Sequence, residues 1–172
     1  MTASADTNER IWKSETAMSR WFAGMDERDR GLANEFALLA RLLPFSEDDS
    51  FTFLDLGAGA GAASRTVLSL YPRSTAILAD YSPHMIARGA KTLAAFEDRF
   101  RYVAFDLLSS QWPEGIPACV DAVVSSQCFH HVPDPRKRTL FAEILDHLPA
   151  GGWFFNFDPV QTSEPTVRAL WN

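Results

Sequence analysis

Cysteine is scarce in this chain: Cys119 and Cys128 are the only two in 172 residues, and neither sits in a CxxC or metal-finger spacing. A disulfide-stapled framework and a zinc ribbon are thereby excluded, and both cysteines read as reduced thiols flanking an expected strand. Long apolar runs are missing as well. No stretch of about 18 apolar residues occurs and no early basic segment leads into an apolar one, so neither a membrane span nor a signal peptide is indicated, and the cytoplasm is the expected compartment. An excess of positive charge is also lacking. Lys and Arg total 16 against 22 Asp and Glu, a formal net charge of -6, which argues against a nucleic-acid backbone as the main partner and leaves a small-molecule acceptor easier to reconcile.

What the chain has is a 47% hydrophobic and 12% aromatic composition with its charges spread, the profile of a globular protein. Its length predicts one structural unit able to bury roughly 70% of its unfolded surface. Within it, residues 1–48 read as a helical cap and residues 49–172 as the core. Ile11, Trp12, Met18, Trp21 and Phe22 make an untidy amphipathic helix over Ile11 to Gly24. Leu32, Phe36, Leu39 and Leu43 recur at helical spacing over Arg30 to Leu43, which Pro44 ends. Two helices are thus expected before the first strand. They either pack on the sheet edge or place Trp12, Trp21 and Phe22 as part of a lid that keeps water from a ligand.

The core opens with the apolar run Phe51 to Leu56, which breaks into Gly57, Gly59 and Gly61 and passes into a helix over Ala62 to Leu70. Glycine suits such a turn because it reaches positive φ without penalty and lets a ligand lie against bare backbone. The second strand, Thr75 to Ala79, closes on Asp80, and Ser82-Pro83 then caps a helix expected to reach Phe96. Further strands are expected at Arg101 to Phe105, Cys119 to Ser125 and Trp153 to Asp158. Between the last two, Asp134-Pro135 repeats the cap-plus-proline signature and opens a helix through Leu148. Wholly apolar strands alternating with helices predict an α/β fold with a doubly wound, mostly parallel sheet. Ligands bind such sheets beyond the carboxyl ends of the strands. Asp55, Asp80, Asp106, the Ser125 to His131 segment and Asp158 all fall at those ends.

The glycine turn alone leaves the ligand open. Gly57, Gly59 and Ala62 satisfy the dinucleotide pattern G-x-G-x-x-G/A, and Asp80 stands where a ribose carboxylate follows about twenty residues on, so an NAD(P)-dependent oxidoreductase is a real alternative. Asp55 just inside the first strand's end counts against a pyrophosphate neighbour. The third glycine, Gly61, and the two leading helices also weigh against it.

Over about Phe51 to Val160 the chain resembles the class I S-adenosylmethionine-dependent methyltransferases, whose fold is Rossmann-like. Leu54 to Gly61 is similar to the family's first motif, which implies that Asp55, Gly57, Ala58, Gly59 and Gly61 cradle the methionine and ribose part of the cofactor. Asp80 is similar to the ribose-binding carboxylate, with Tyr81 and Met85 flanking the adenine. Asp106-Leu107 resembles the third motif, which meets the adenine edge. Asp121 to Ser126, with His130 to Asp134, is similar to the fourth, adding Ser125 and Ser126 to the implied cofactor-binding residues. Leu148 to Gly152 is similar to the turn before strand five. The resemblance implies methyl transfer to an O, N or C atom of a small-molecule acceptor, with S-adenosylhomocysteine as product.

Beyond the cofactor residues, His131 is the preferred candidate for a general base, against the blander reading of a pocket-lining ring satisfied by backbone. No metal is expected at His130 and His131, because adjacent side chains in an extended segment point to opposite sides. Asp134 reads as a helix cap, and Cys128 as a nucleophile only if something lowered its pKa. Asp158 either contacts an acceptor or simply finishes its strand. The family sheet has seven strands and this sequence carries five, so the apolar run Trp153 to Phe157 would form an open edge. A homodimer or a strand-exchanged partner is expected to cover it. A module that binds the cofactor without turnover is a further alternative.

Overall fold

The structure is a computed structural model that describes residues 14–160 and 164–169. Five strands form one all-parallel sheet in the order β3-β2-β1-β4-β5, comprising β1 (Thr52–Leu56), β2 (Thr75–Asp80), β3 (Phe100–Ala104), β4 (Ala122–Ser126) and β5 (Trp153–Phe157). The apolar runs explain the order. β1, β2 and β4 carry almost no side chain that tolerates water on either face, so they take the middle, where Leu54 pairs with Ile77 on one side and Val123 on the other.

Alternate residues of these strands feed two cores. Phe53, Leu78 and Val124 pack on one face with Leu39, Leu43, Val67 and Leu68. Leu54, Leu56, Ile77 and Val123 pack on the other with Phe129, Leu140 and Ile144. The first face is covered by α3 (Ala33–Leu42) and α4 (Ala62–Leu70), and the second by α6 (Asp134–Asp146). Each fully buried Leu, Ile or Phe contributes about 1.5–3 kcal/mol. α5 (Pro83–Thr92) starts at Ser82, whose hydroxyl accepts from the Met85 N–H. α7 (Pro165–Ala169) closes the described chain.

Several expectations are corrected. Three helices, not two, precede β1 among the described residues: α1 (Glu15–Ala23), α2 (Met25–Gly31) and α3. The segment MDERDRG has too few apolar residues to show a period, so α2 was invisible in the sequence, and Gly24 and Leu32 mark breaks between turns that otherwise continue. Arg28 stitches α1 to α2, its guanidinium lying 3.9 Å over the Trp21 ring and donating to the Trp21 carbonyl at 2.6 Å. Trp12 lies outside the described residues. Phe22 packs with Met18, Met25, Ala60 and Met85, whereas Trp21 lines the cavity at the strand ends.

The helix expected to run to Phe96 stops at Thr92, and a 3-10 segment, Ala94–Arg99, follows with Glu97 at φ 53 inside it. Arg99 then donates to the Leu68 and Pro72 carbonyls at 3.0 and 2.8 Å, satisfying the end of α4. Asp134 is not a cap. Pro133 holds the N-cap position in extended geometry, Asp134 is the first helical residue, and its exposed carboxylate meets Lys137 at 3.1 Å. A proline at the cap and another just inside the helix set the entry angle without any side-chain bond.

β5 lies at the sheet edge, with Trp153 and Phe155 stacked on one face at 5.6 Å. At the opposite side, β3 carries a residue that reaches the centre. The Tyr102 hydroxyl donates to the Gly59 carbonyl at 3.0 Å, passing through space left by Gly89, where a Cβ would run into the phenol. Gly89→Ala is therefore expected to cost about 1–3 kcal/mol by overpacking. Urea unfolding measures it, and pairing with Tyr102→Phe, which removes the obstructing oxygen, should recover part of the loss.

Candidate functional site

The glycine turn is built by three positive-φ residues, Gly57 at φ 69, Gly59 at φ 54 and Gly61 at φ 81. Gly57 donates to the Ala79 carbonyl at 2.8 Å, and a Cβ there would collide with the Cys128 thiol, so β1 and the segment after β4 close tightly. At Gly59 a Cβ would meet nothing within 4 Å. The turn thus presents bare backbone to open space.

Asp80 fixes the shape of that turn. One carboxylate oxygen accepts from the Gly59 N–H at 2.7 Å and the other from the Ser82 N–H at 2.8 Å. Burial raises its pKa, while the backbone N–H bonds from Ser82, Gly59 and Tyr81 pull it down. Three N–H groups thus engage a carboxylate that offers about four lone-pair directions, so room for a ligand donor remains. Asp55 is only 1% exposed and accepts from the Ser64 hydroxyl at 2.6 Å. Burial, countered by Ser64 and reinforced by Asp80, lifts its pKa to about 7.

The other strand ends complete a cavity of about 400 Å³, within the range of small-molecule sites. Its wall includes Asp55, Gly57, Ala58, Gly59, Asp80, Tyr81, Met85, Asp106, Leu107 and Ser126, all expected from the sequence. Gly61 and Ser125 stand behind it. Gly61 begins α4 against Leu93 and Tyr102, and the buried Ser125 hydroxyl donates to the Leu56 carbonyl at 2.7 Å, tying β4 to β1. The Ser126 hydroxyl is buried and has no hydrogen-bond partner among the described residues. A polar atom left in that state at a cavity wall costs about 1–3 kcal/mol unless a ligand or water meets it.

Asp106 turns the chain by accepting from the Leu108 N–H at 2.9 Å. Arg136 holds this loop to α6, donating to the Leu107 and Ser109 carbonyls at 2.8 and 2.7 Å and pairing with Glu143 at 2.6 Å. Glu143, its pKa lowered first by the Arg136 hydrogen bond, also accepts from the Trp112 indole.

After β4 the chain forms a 3-10 turn, Phe129–His131, rather than an extended segment. The two imidazoles consequently lie together, ring centroids 3.9 Å apart, instead of on opposite sides. His130 Nδ1 is 2.9 Å from Asp158 Oδ1, whose side chain is 9% exposed. Burial, then the neighbouring His130, lowers the pKa of His131. Burial pushes the Cys128 thiol far up, which leaves no nucleophile there. Among the described residues no cluster of His, Cys, Asp and Glu is placed to hold a metal ion.

Ser64, Tyr102 and Arg136 were not singled out as working residues, and Asp158 stood only as a carboxylate that either contacts an acceptor or finishes its strand. Ser64 had a faint signal, a hydroxyl in the first turn of the helix after the glycines. Tyr102 and Arg136 had none, because their partners lie 43 and 29 residues away. The cap contributes Trp21, Met25, Arg28, Asp29, Leu32 and Phe36 to the cavity.

This arrangement defines a nucleotide-type site on a Rossmann-like sheet. A family profile described as "Methyltransferase domain" matches residues 53–152. The chain belongs to that family, among the class I S-adenosylmethionine-dependent methyltransferases. It is 30% identical over 145 residues to trans-aconitate 2-methyltransferase of Azoarcus sp. (strain BH72), covering 84% of this chain and 51% of the relative. It is 32% identical over 126 residues to 3-hydroxy-5-methyl-1-naphthoate 3-O-methyltransferase of Streptomyces sahachiroi, covering 71% of this chain and 35% of that one. The chain thus spans about half or less of these relatives' length. In fold it is similar to the mitomycin 7-O-methyltransferase MmcR, with TM-score 0.73, 16% identity and coverage of 95% of this chain and 45% of the other. It is also similar to the protein in the DhpI-SAM-HEP complex, with TM-score 0.71, 20% identity and coverage of 100% and 74%.

The residues present fit S-adenosylmethionine: carboxylates dominate the polar wall, the turn opens at Gly59, and the Ser126 hydroxyl lacks a partner. A pyrophosphate would lie against the carboxylates instead. Asp55 carries a pH signature. Its folded pKa, about 7, stands above the ordinary aspartate value of 3.8, so the folded state holds the proton more tightly than the unfolded chain. That contribution to stability is present in acid and is lost as pH rises through about 4 to 7. Urea midpoints of wild type minus Asp55→Asn should fall across that window; a flat difference would contradict the assignment.

Proposed function

We propose that this chain transfers a methyl group from S-adenosylmethionine to an oxygen of a small-molecule acceptor. The observation that carries the reading is the single cavity wall on which the Gly59 turn, the carboxylates Asp80 and Asp106, and His130, backed by Asp158, converge. When bound, the cofactor supplies an electrophilic methyl on a cationic sulfur.

The chain's own residues then do three things. Asp80 would hold the ribose through the acceptor capacity its backbone N–H bonds leave, with Tyr81 and Met85 beside the adenine and the Asp106-Leu107 turn at its edge. Asp55, Gly57 and Ala58 would line the methionine end, and the Ser126 hydroxyl would gain the partner it lacks. Trp21, Leu32 and Phe36 would exclude water and hold the acceptor near the reacting centre, an orienting effect that can contribute about 7–11 kcal/mol.

His130 is the better base than the expected His131. Asp158 accepting from Nδ1–H fixes the tautomer and leaves Nε2 to receive a hydroxyl proton. That pair favours an oxygen acceptor over carbon or a neutral amine. It also accords with the hydroxyl named for the Streptomyces relative. We further infer a cytoplasmic setting and a second copy or exchanged strand over the β5 edge. Among the described residues no helix is long and apolar enough to cross a membrane.

Calorimetry with S-adenosylhomocysteine tests the cofactor reading: micromolar binding is expected, weakened about 100-fold by Asp80→Ala, which removes charge-assisted bonds worth about 1.5–3 kcal/mol each. Binding of NADH in its place would sink it. Intact binding with no transfer across a broad panel of hydroxylated acceptors would instead favour a binding module. His130→Gln should slow turnover about 100-fold or more with cofactor affinity unchanged.

A further inference from the structure

The cap presents more than an apolar lid. Trp21, Met25, Arg28, Asp29, Leu32 and Phe36 follow one helical stripe across α1, α2 and α3, and all six line the cavity. Four are apolar. The two in the middle are a cation and an anion, side by side in sequence.

Neither charge is neutralised by a contact among the described residues. The Arg28 guanidinium is braced by the Trp21 ring and carbonyl, with no carboxylate in ion-pair distance. Asp29 is half-buried and makes no hydrogen bond or ion pair among the described residues. Burial raises its pKa, and the Arg65, Arg28 and Arg88 charges oppose that from a distance. Neighbouring Asp26, by contrast, is engaged by Arg88 at 3.6 Å. A half-buried carboxylate and a braced guanidinium facing the same space are an unusual expense for a lid that only excludes water.

Their position identifies the ligand group. Met25, one turn before Arg28, packs on Ala60 of the glycine turn and on Met85. Through Ala60, which sits between the second and third glycines, α2 lies over the turn, and the Arg65 charge that acts on Asp29 comes from the first turn of α4 just beyond it; the resemblance gives that turn to the cofactor's methionine and ribose part. The groups there are an α-carboxylate and an α-ammonium, the complement of Arg28 and Asp29. We propose that α2 reads the amino-acid end of the cofactor, Arg28 taking its carboxylate and Asp29 its ammonium; this rests on the cofactor reading above. The cap is then seated by the cofactor itself, because ligand charges satisfy the two charges the cap brings to the cavity.

The test compares S-adenosylhomocysteine with 5′-methylthioadenosine, which keeps the adenosine and thioether and lacks the amino-acid end. In calorimetry, Arg28→Gln and Asp29→Asn should each weaken S-adenosylhomocysteine about tenfold or more, the size of a lost charge-assisted hydrogen bond. Methylthioadenosine should stay within about twofold. Arg28→Lys, which keeps the charge but loses the planar fork, should fall between wild type and Arg28→Gln. Circular dichroism melts check that the variants fold, and Asp29→Asn leaves the Arg28–Trp21 brace untouched. The proposal is overturned if both substitutions leave S-adenosylhomocysteine binding unchanged, or if they weaken the two ligands equally. Wild-type protein that binds neither ligand would overturn the cofactor reading itself and this proposal with it.

Discussion

The rest of the site depends on one carboxylate. Asp80 leaves the end of β2 and spends one oxygen on the Gly59 N–H and the other on the Ser82 N–H. Those bonds join the β1–α4 turn to the β2–α5 turn, the two crossings that flank the centre of the sheet. Tyr102 supports the same turn from below by donating to the Gly59 carbonyl. Gly59 is thus held at both its N–H and its carbonyl while its Cα face stays open, and a ligand meets a surface that needs little reorganisation. Preorganisation of this kind lowers the cost of binding.

A price follows from packing so much acceptor chemistry into a dry place. Asp55 and Asp80 are both raised by burial, and the Asp80 charge raises Asp55 further. Ser64 and the backbone N–H groups offset part of this. A cationic ligand would offset more. This is the physical sense in which the site fits a sulfonium cofactor with an ammonium group and fits a pyrophosphate badly.

Much of this was legible in the sequence because it is local. The parallel sheet follows from apolar strands alternating with helices, and the site's position from acidic residues and glycines at strand ends. Asp80, Asp106 and the glycines 57 and 59 are read from a spacing. What escaped has a common cause: it depends on contacts between distant segments or on backbone geometry. α2 is tied to α1 by Arg28 folding back on Trp21, a contact that no period in its residues announces. The 3-10 turn at Phe129–His131 puts two rings together that an extended chain would separate, and sets His130 beside Asp158. Ser125 and Ser126 differ by one residue in a strand, which alternation sends to opposite sides; only the second faces the cavity.

The most direct measurement of the central claim is a crystal structure of the chain with S-adenosylhomocysteine. The account predicts the ribose hydroxyls on the Asp80 carboxylate, the adenine against Tyr81 and Met85 at the Asp106 turn, and the sulfur facing the His130 side of the cavity. A ribose placed away from Asp80, or a cofactor bound outside the Gly57–Gly59 turn, would contradict it.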